Sequence, residues 1–94
     1  MDKLSAARSK IDSLDRRIAA LLSRRFALAV PLRALKKKLA DRRREKQVLA
    51  NAAAAGEKIY ARAARAVFTE IIRQSRKLQG GKWPADKRSD TSLW

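Results

Sequence analysis

The sequence predicts an all-α protein, and two observations support that prediction. Apolar residues recur in steps of three and four along the first forty positions, which is the spacing of a helix face packed against other helices. The body of the chain is rich in Ala, Leu, Arg and Lys, all strong helix formers, and no segment alternates as a strand does. We call the apolar positions the seam; they are Ile11, Leu14, Ile18, Leu21, Leu28, Leu32, Leu35 and Leu39.

The first predicted helix extends from about Lys3 to about Lys38. It would be roughly 54 Å long, whereas a globule of 94 residues has a radius of gyration of about 12 Å. The rest of the chain cannot cover such a helix, so we expect a second copy to cover it in a symmetric dimer. Pro31 lies inside this helix, and we expect a kink just before it, with a real break as the alternative.

The second predicted helix spans about Asp41 to Ala55, and Gly56 is a suitable residue to end it. The connection before it, from Lys36, contains neither Gly nor Pro, so two arrangements remain open. One is a tight turn in which Asp41 caps a new helix. The other is a continuous helix from residue 3 to about residue 55. We expect the turn.

The third predicted helix spans about Ile59 to Gln79, where Gly80 and Gly81 end it. The segment that follows mixes Pro, Ser, Asp and Lys and has no periodic apolar pattern. We therefore expect one helical domain over residues 1–79 and a flexible tail over 80–94.

Composition excludes several function classes. With 24 basic and 9 acidic residues, the net charge of +15 predicts attraction to polyanions or small anionic substrates. The absence of Cys and His excludes disulfides, Cys/His metal sites and the Ser-His-Asp and Cys-His nucleophile systems. The first nine residues do not resemble a signal peptide, and no apolar run is long enough to span a bilayer. We expect a cytoplasmic protein with no membrane partner.

Two arginines occupy seam positions. Arg25 lies between Leu21 and Leu28, and Arg8 is the next seam position before Ile11. A guanidinium in a buried stripe is costly unless it meets an anion. One interpretation is an interior that holds a small anionic molecule, and the other is a structural ion pair within a helix bundle.

Further polar residues share helix faces. Asp41, Arg44 and Glu45 lie on one face of the second helix, where they either face inward or form an exposed cluster that supports the helix. Ser75 and Gln79 end an otherwise apolar stripe on the third helix, and they either line a site or lie at the edge of the core.

A run of eight basic residues against two acidic ones covers residues 33–46 and includes Lys36. This run is the best argument for nucleic-acid binding. Against that interpretation, the basic residues lie on all sides of the helix, and no aromatic residues interleave with them to stack on bases. Nucleic acid is therefore the less favoured partner.

In order along the chain, the sequence contains the motifs Arg8-x-x-Ile11-Asp12-x-x-Asp15, Leu21-Leu22-x-x-Arg25-x-x-Leu28-Ala29, Lys36, Asp41-x-x-Arg44-Glu45 and Phe68-x-x-Ile71-Ile72-x-x-Ser75-x-x-x-Gln79. Over roughly residues 4 to 79, this ordered set resembles the all-helical AroQ class of chorismate mutases. The resemblance implies an intertwined homodimer of three-helix chains with two active sites built from both chains. It also implies conversion of chorismate, a dianion, to prephenate by a Claisen rearrangement, without cofactor or metal.

The resemblance also implies a role for each site residue. Arg8 would reach into the partner's site and, with Arg25, bind the two substrate carboxylates. Lys36 and Gln79 would donate hydrogen bonds to the ether oxygen, where negative charge develops as the C–O bond breaks.

The remaining four positions would complete the site. Glu45 would hold the ring hydroxyl, with the backbone at Asp41 nearby, and Arg44 and Ser75 would complete the polar lining. The alternatives are an isochorismate-pyruvate lyase or aminodeoxychorismate mutase on the same scaffold, a basic helical nucleic-acid-binding protein, or an inactive relative kept as a scaffold or regulator.

Overall fold

The computed structural model describes residues 2–35 and 41–80, apart from the side chain of Arg33. Lys36, Leu39 and residues 81–94 of the predicted tail lie outside the described residues, whereas Gly80, the first residue of that predicted tail, belongs to the third helix. The three α-helices are α1 (Lys3–Ala29), α2 (Arg42–Ala55) and α3 (Ala61–Gly80). Short 3₁₀ helices follow α1 at Val30–Ala34 and precede α3 at Lys58–Tyr60. The all-α prediction is confirmed, and the described ranges contain no strand.

The first helix is shorter than the sequence predicts. It begins after Asp2, whose carboxylate accepts a hydrogen bond of 2.7 Å from the Ser5 N–H, an interaction that lowers the pKa of Asp2. It ends at Ala29, where the chain tightens into the first 3₁₀ helix. The change of helix type occurs at Pro31, which has no N–H to continue the α-helical ladder. The predicted extension of an α-helix beyond Ala29 is therefore wrong for the described residues.

The second helix starts independently of the first. Asp41 has extended backbone angles, φ −133° and ψ 95°, so it cannot belong to a continuous helix. Its Oδ1 accepts a hydrogen bond of 3.0 Å from the Arg44 N–H, as an N-cap does. The prediction of a separate helix capped by Asp41 is confirmed, and the alternative of one helix from residue 3 to 55 is wrong.

The third helix provides the small core of the single chain. Its buried residues are Ile72, Ser75 and Gln79, at 9%, 8% and 4% exposure. This helix packs against α2, against the first 3₁₀ helix and against the end of α1. Two of its three buried residues are polar, which is unusual for a core and indicates a site rather than a simple packing interface.

The seam residues on α1 are exposed. No residue of α1 is buried, and Ile11, Leu14, Ile18 and Leu21 are each more than half exposed. The radius of gyration is 16.3 Å, against about 12 Å for a compact globule of this length. Residues 2–35 and 41–80 therefore leave the apolar stripe on α1 largely uncovered. None of the described helices combines the length and the apolar character needed to cross a membrane.

Candidate active site

A cavity of about 260 Å³ lies where the end of α1 and the first 3₁₀ helix meet α2 and α3. Its polar side chains come from all three α-helices, and its apolar wall comes from α1, α2, α3 and the 3₁₀ helix. The lining residues are Arg25, Leu28, Ala29, Leu32, Asp41, Arg44, Glu45, Val48, Ile72, Ser75, Arg76 and Gln79.

Arg25 is held in the cavity by α3. Its Nη1 donates a hydrogen bond of 3.0 Å to Ser75 Oγ, and that hydroxyl donates one of 2.9 Å to the Ile71 carbonyl. Within residues 2–35 and 41–80, no carboxylate lies within salt-bridge distance of the Arg25 guanidinium. The structural ion pair that the sequence left open is therefore not formed by these residues, and the half-buried charge remains available to an anion.

Arg44 and Glu45 enter the cavity from the first turns of α2. The cap at Asp41 fixes where this helix begins, and so sets which side chains face the cavity. Arg44 Nη1 donates a hydrogen bond of 2.6 Å to Gln47 Oε1 on the same helix, which restrains its guanidinium. Glu45 Oε2 lies 3.5 Å from Nε of Arg76 on α3.

Gln79 joins the end of α3 to the end of α1. Its Nε2 donates a hydrogen bond of 2.6 Å to the carbonyl of Ala29, the last residue of α1. Terminal carbonyls of a helix lack α-helical partners, so the buried amide provides one. This bond fixes the position of the Gln79 amide at the cavity wall.

The cavity is suited to a small anion. Three arginines, Arg25, Arg44 and Arg76, face two carboxylates, Asp41 and Glu45, and one of those carboxylates is engaged in capping α2. The net positive lining and the apolar wall together favour a small organic anion over an inorganic one. Among the described residues, no group of three acidic, His or Cys side chains is placed to bind a metal.

Six of the eight predicted site residues line this one cavity: Arg25, Asp41, Arg44, Glu45, Ser75 and Gln79. Lys36 lies outside the described residues. Arg8 is on α1, seventeen residues before Arg25 and so about 26 Å along the helix axis, and it does not line the cavity of its own chain.

Arg76 lines the cavity but is not among the residues singled out from the sequence. The signal for it is its spacing, since it follows the buried Ile72 by four positions and so shares a helix face with it. Because the chain contains 24 basic residues, an arginine at this position is not distinguished in the sequence from an ordinary solvent-exposed one.

Comparison with known proteins identifies the family. No curated protein and no solved structure matches the chain. The family model described as chorismate mutase type II matches residues 7–80, which includes α2, α3 and most of α1. The match spans the cavity and the whole seam. The chain therefore belongs to the type II chorismate mutase family, the all-helical AroQ class.

Proposed function

We propose that this protein is a chorismate mutase, which converts chorismate to prephenate within its helical domain, residues 1–79. The observation that supports this most is the convergence of Arg25, Arg44, Glu45, Ser75 and Gln79 on one cavity of about 260 Å³. These side chains come from three separate helices, and they are five of the eight residues that the family resemblance places in the site.

The reaction suits a site without a strong acid, base or nucleophile. It is a unimolecular rearrangement in which the ether C–O bond breaks while a new C–C bond forms, with no proton transferred. Catalysis requires holding the substrate in its reactive chair conformer and placing fixed donors where negative charge develops. Arginine and amide side chains supply both functions.

The proposed roles begin with the substrate carboxylates. Arg25 binds one carboxylate, and Arg8 of the partner subunit contributes to binding the other. Gln79 and Lys36 donate hydrogen bonds to the ether oxygen. The bond from Gln79 to Ala29 supports this role, because it orients the amide before substrate arrives.

The remaining roles concern the ring and the polar lining. Glu45 accepts a hydrogen bond from the ring hydroxyl, near the backbone of Asp41. Arg44 contributes positive charge toward the substrate, and Ser75 orients Arg25 through the bond of 3.0 Å between them.

A homodimer with shared sites completes this proposal. The exposed seam supports it, since burying each Leu or Ile side chain contributes about 1.5–3 kcal/mol. The position of Arg8 supports it as well, because about 26 Å of helix separates this residue from the cavity of its own chain. In a paired arrangement of α1 helices, each Arg8 can approach the partner's cavity.

The test is separate incubation of the purified protein with chorismate, isochorismate and the amino analogue of chorismate, while absorbance is followed and the products are identified by chromatography. We expect loss of chorismate and formation of prephenate. Release of pyruvate from isochorismate, or rearrangement of only the amino analogue, would instead assign a related reaction on the same scaffold. Salt-sensitive DNA binding without any turnover would favour the nucleic-acid-binding alternative.

A further inference from the structure

Arg76 occupies an unusual position at the cavity wall. It lies on α3 between Ser75 and Gln79, and its Nε is 3.5 Å from Glu45 Oε2. That distance satisfies an ion pair but is too long for a good hydrogen bond. Nε is buried, and it has no hydrogen-bond partner within the part of the chain that the structure describes. The guanidinium is thus directed at Glu45 without being fully engaged by it.

Arg76 and Glu45 together determine the local charge at this end of the cavity. The side chains of Arg76 and Glu45 are 41% and 26% exposed, so solvent screens their attraction only in part. Arg44, the neighbouring cation on α2, donates to Gln47 instead. Among residues 2–35 and 41–80, Arg76 is the one basic residue that lies within salt-bridge distance of Glu45.

Glu45 still has acceptor capacity when it faces Arg76. A carboxylate offers about four lone-pair sites, and one guanidinium N–H occupies only one of them. An uncharged hydroxyl of a ligand can donate to the remaining sites at no electrostatic cost. A ligand ammonium at the same place would be repelled by the guanidinium beside it.

We infer that Arg76 is a specificity-determining residue: it makes the Glu45 end of the cavity select a ligand with an uncharged hydroxyl and reject one with an ammonium group there. This inference rests on the proposed function, in which Glu45 faces the ring substituent of the substrate. The match to the family model does not assign Arg76 or explain which ring substituent the cavity prefers.

The experiment compares chorismate with the analogue in which an amino group replaces the ring hydroxyl. For each compound, kcat/KM is measured by turnover and Kd by calorimetry, in the unaltered protein and in Arg76→Gln and Arg76→Lys. We expect the unaltered protein to prefer the hydroxyl compound. Arg76→Gln should reduce that preference at least tenfold, and Arg76→Lys should retain most of it.

A matched control is available on the same helix. Arg73 lies one turn earlier, is exposed, and pairs with Glu70 outside the cavity through bonds of 2.6 and 3.1 Å. Arg73→Gln removes the same charge and should leave the preference unchanged. In a Glu45→Gln background, Arg76→Gln should still reduce the preference, because the guanidinium repels the ammonium whether or not the carboxylate is present.

The outcomes separate this inference from the proposed function. If chorismate turns over but Arg76→Gln leaves the preference unchanged, or Arg73→Gln changes it equally, the inference is wrong and the function stands. If neither compound turns over but the Kd preference shifts as expected, the inference holds and the proposed reaction is wrong. If neither compound binds to the unaltered protein, both are overturned.

Discussion

Arg25 interrupts the apolar seam and lines the candidate site. There α3 receives its guanidinium through Ser75 instead of through a carboxylate. A charge held by a neutral hydroxyl keeps its attraction for an anion, whereas a charge in an ion pair does not. The sequence predicts that Arg25 lies on the seam and that burying its charge is costly. It does not predict the hydrogen bond to Ser75, because that bond depends on how α3 packs against α1.

The first prediction concerns Arg25→Leu. It should reduce kcat/KM for chorismate by about 10³-fold, the cost of losing a charged donor in a preorganised site. The free energy of unfolding should stay level or rise, because the change removes an unpaired charge and restores an apolar seam position. Arg24→Leu, on the exposed neighbour of Arg25, is the matched control and should keep its activity. A loss of about 3 kcal/mol or more of stability with activity retained would contradict the ligand role.

The second prediction concerns pH and Glu70. Hydrogen bonds first from Gln74 and then from Arg73 hold the pKa of Glu70 below its ordinary value of 4.5. A lowered pKa in the folded state stabilises the protein above pH 4.5, and that stabilisation is lost as the pH falls below it. The difference in Tm between the unaltered protein and Glu70→Gln should therefore be largest near neutral pH and shrink in acid. A difference that is constant from pH 7 to pH 3 would refute this assignment.

The sequence predicts six of the residues that line the cavity but not Arg76, for a physical reason. The six predicted residues that line the cavity have polar side chains at helix positions that otherwise carry apolar residues, or at a helix start. Arg76 has no such contrast, since basic residues are common throughout the chain. Its role arises from a contact with Glu45, thirty-one positions earlier, and helix periodicity carries no information about that contact.

At the scale of elements, the end of α1 has the largest difference between prediction and structure. The seam spacing continues in phase through Leu32 and Leu35, so periodicity predicts one helix across Pro31. The proline instead coincides with a change to a 3₁₀ helix, which ends the α-helical pattern at Ala29. Gln79 donates a hydrogen bond to the Ala29 carbonyl at this boundary, so the position of the boundary affects the cavity wall.

The third prediction concerns the start of α2. Asp41→Ala removes the side-chain cap of this helix and should reduce the free energy of unfolding by about 1 kcal/mol in a denaturant titration. It should also raise KM, because Arg44 and Glu45 lie in the first turn that the cap orders. Asp41→Asn keeps an oxygen acceptor and should recover most of the stability. Equal losses for both variants would show that the charge of Asp41, rather than its cap, is what matters.

At the scale of the whole molecule, the described residues enclose a polar cavity but do not cover the seam. The elongated α1 exposes its apolar residues over most of its length, and Arg8 lies far from the cavity. The sequence predicts a second copy as partner from helix length alone. It does not specify how two copies are arranged, because that depends on how the α1 surfaces fit together.

The most direct test of this account mixes two inactive variants, Arg8→Ala and Arg25→Leu, under conditions of subunit exchange. In a mixed dimer with shared sites, one site carries both changes and the other carries neither. When the two variants are combined at equal concentrations, half of the dimers contain one chain of each variant. Half of the sites in those dimers are intact, so activity should recover to about one quarter of the activity of the unaltered protein. No recovery, with exchange demonstrated by mass-labelled subunits, would contradict the claim that two chains build each site.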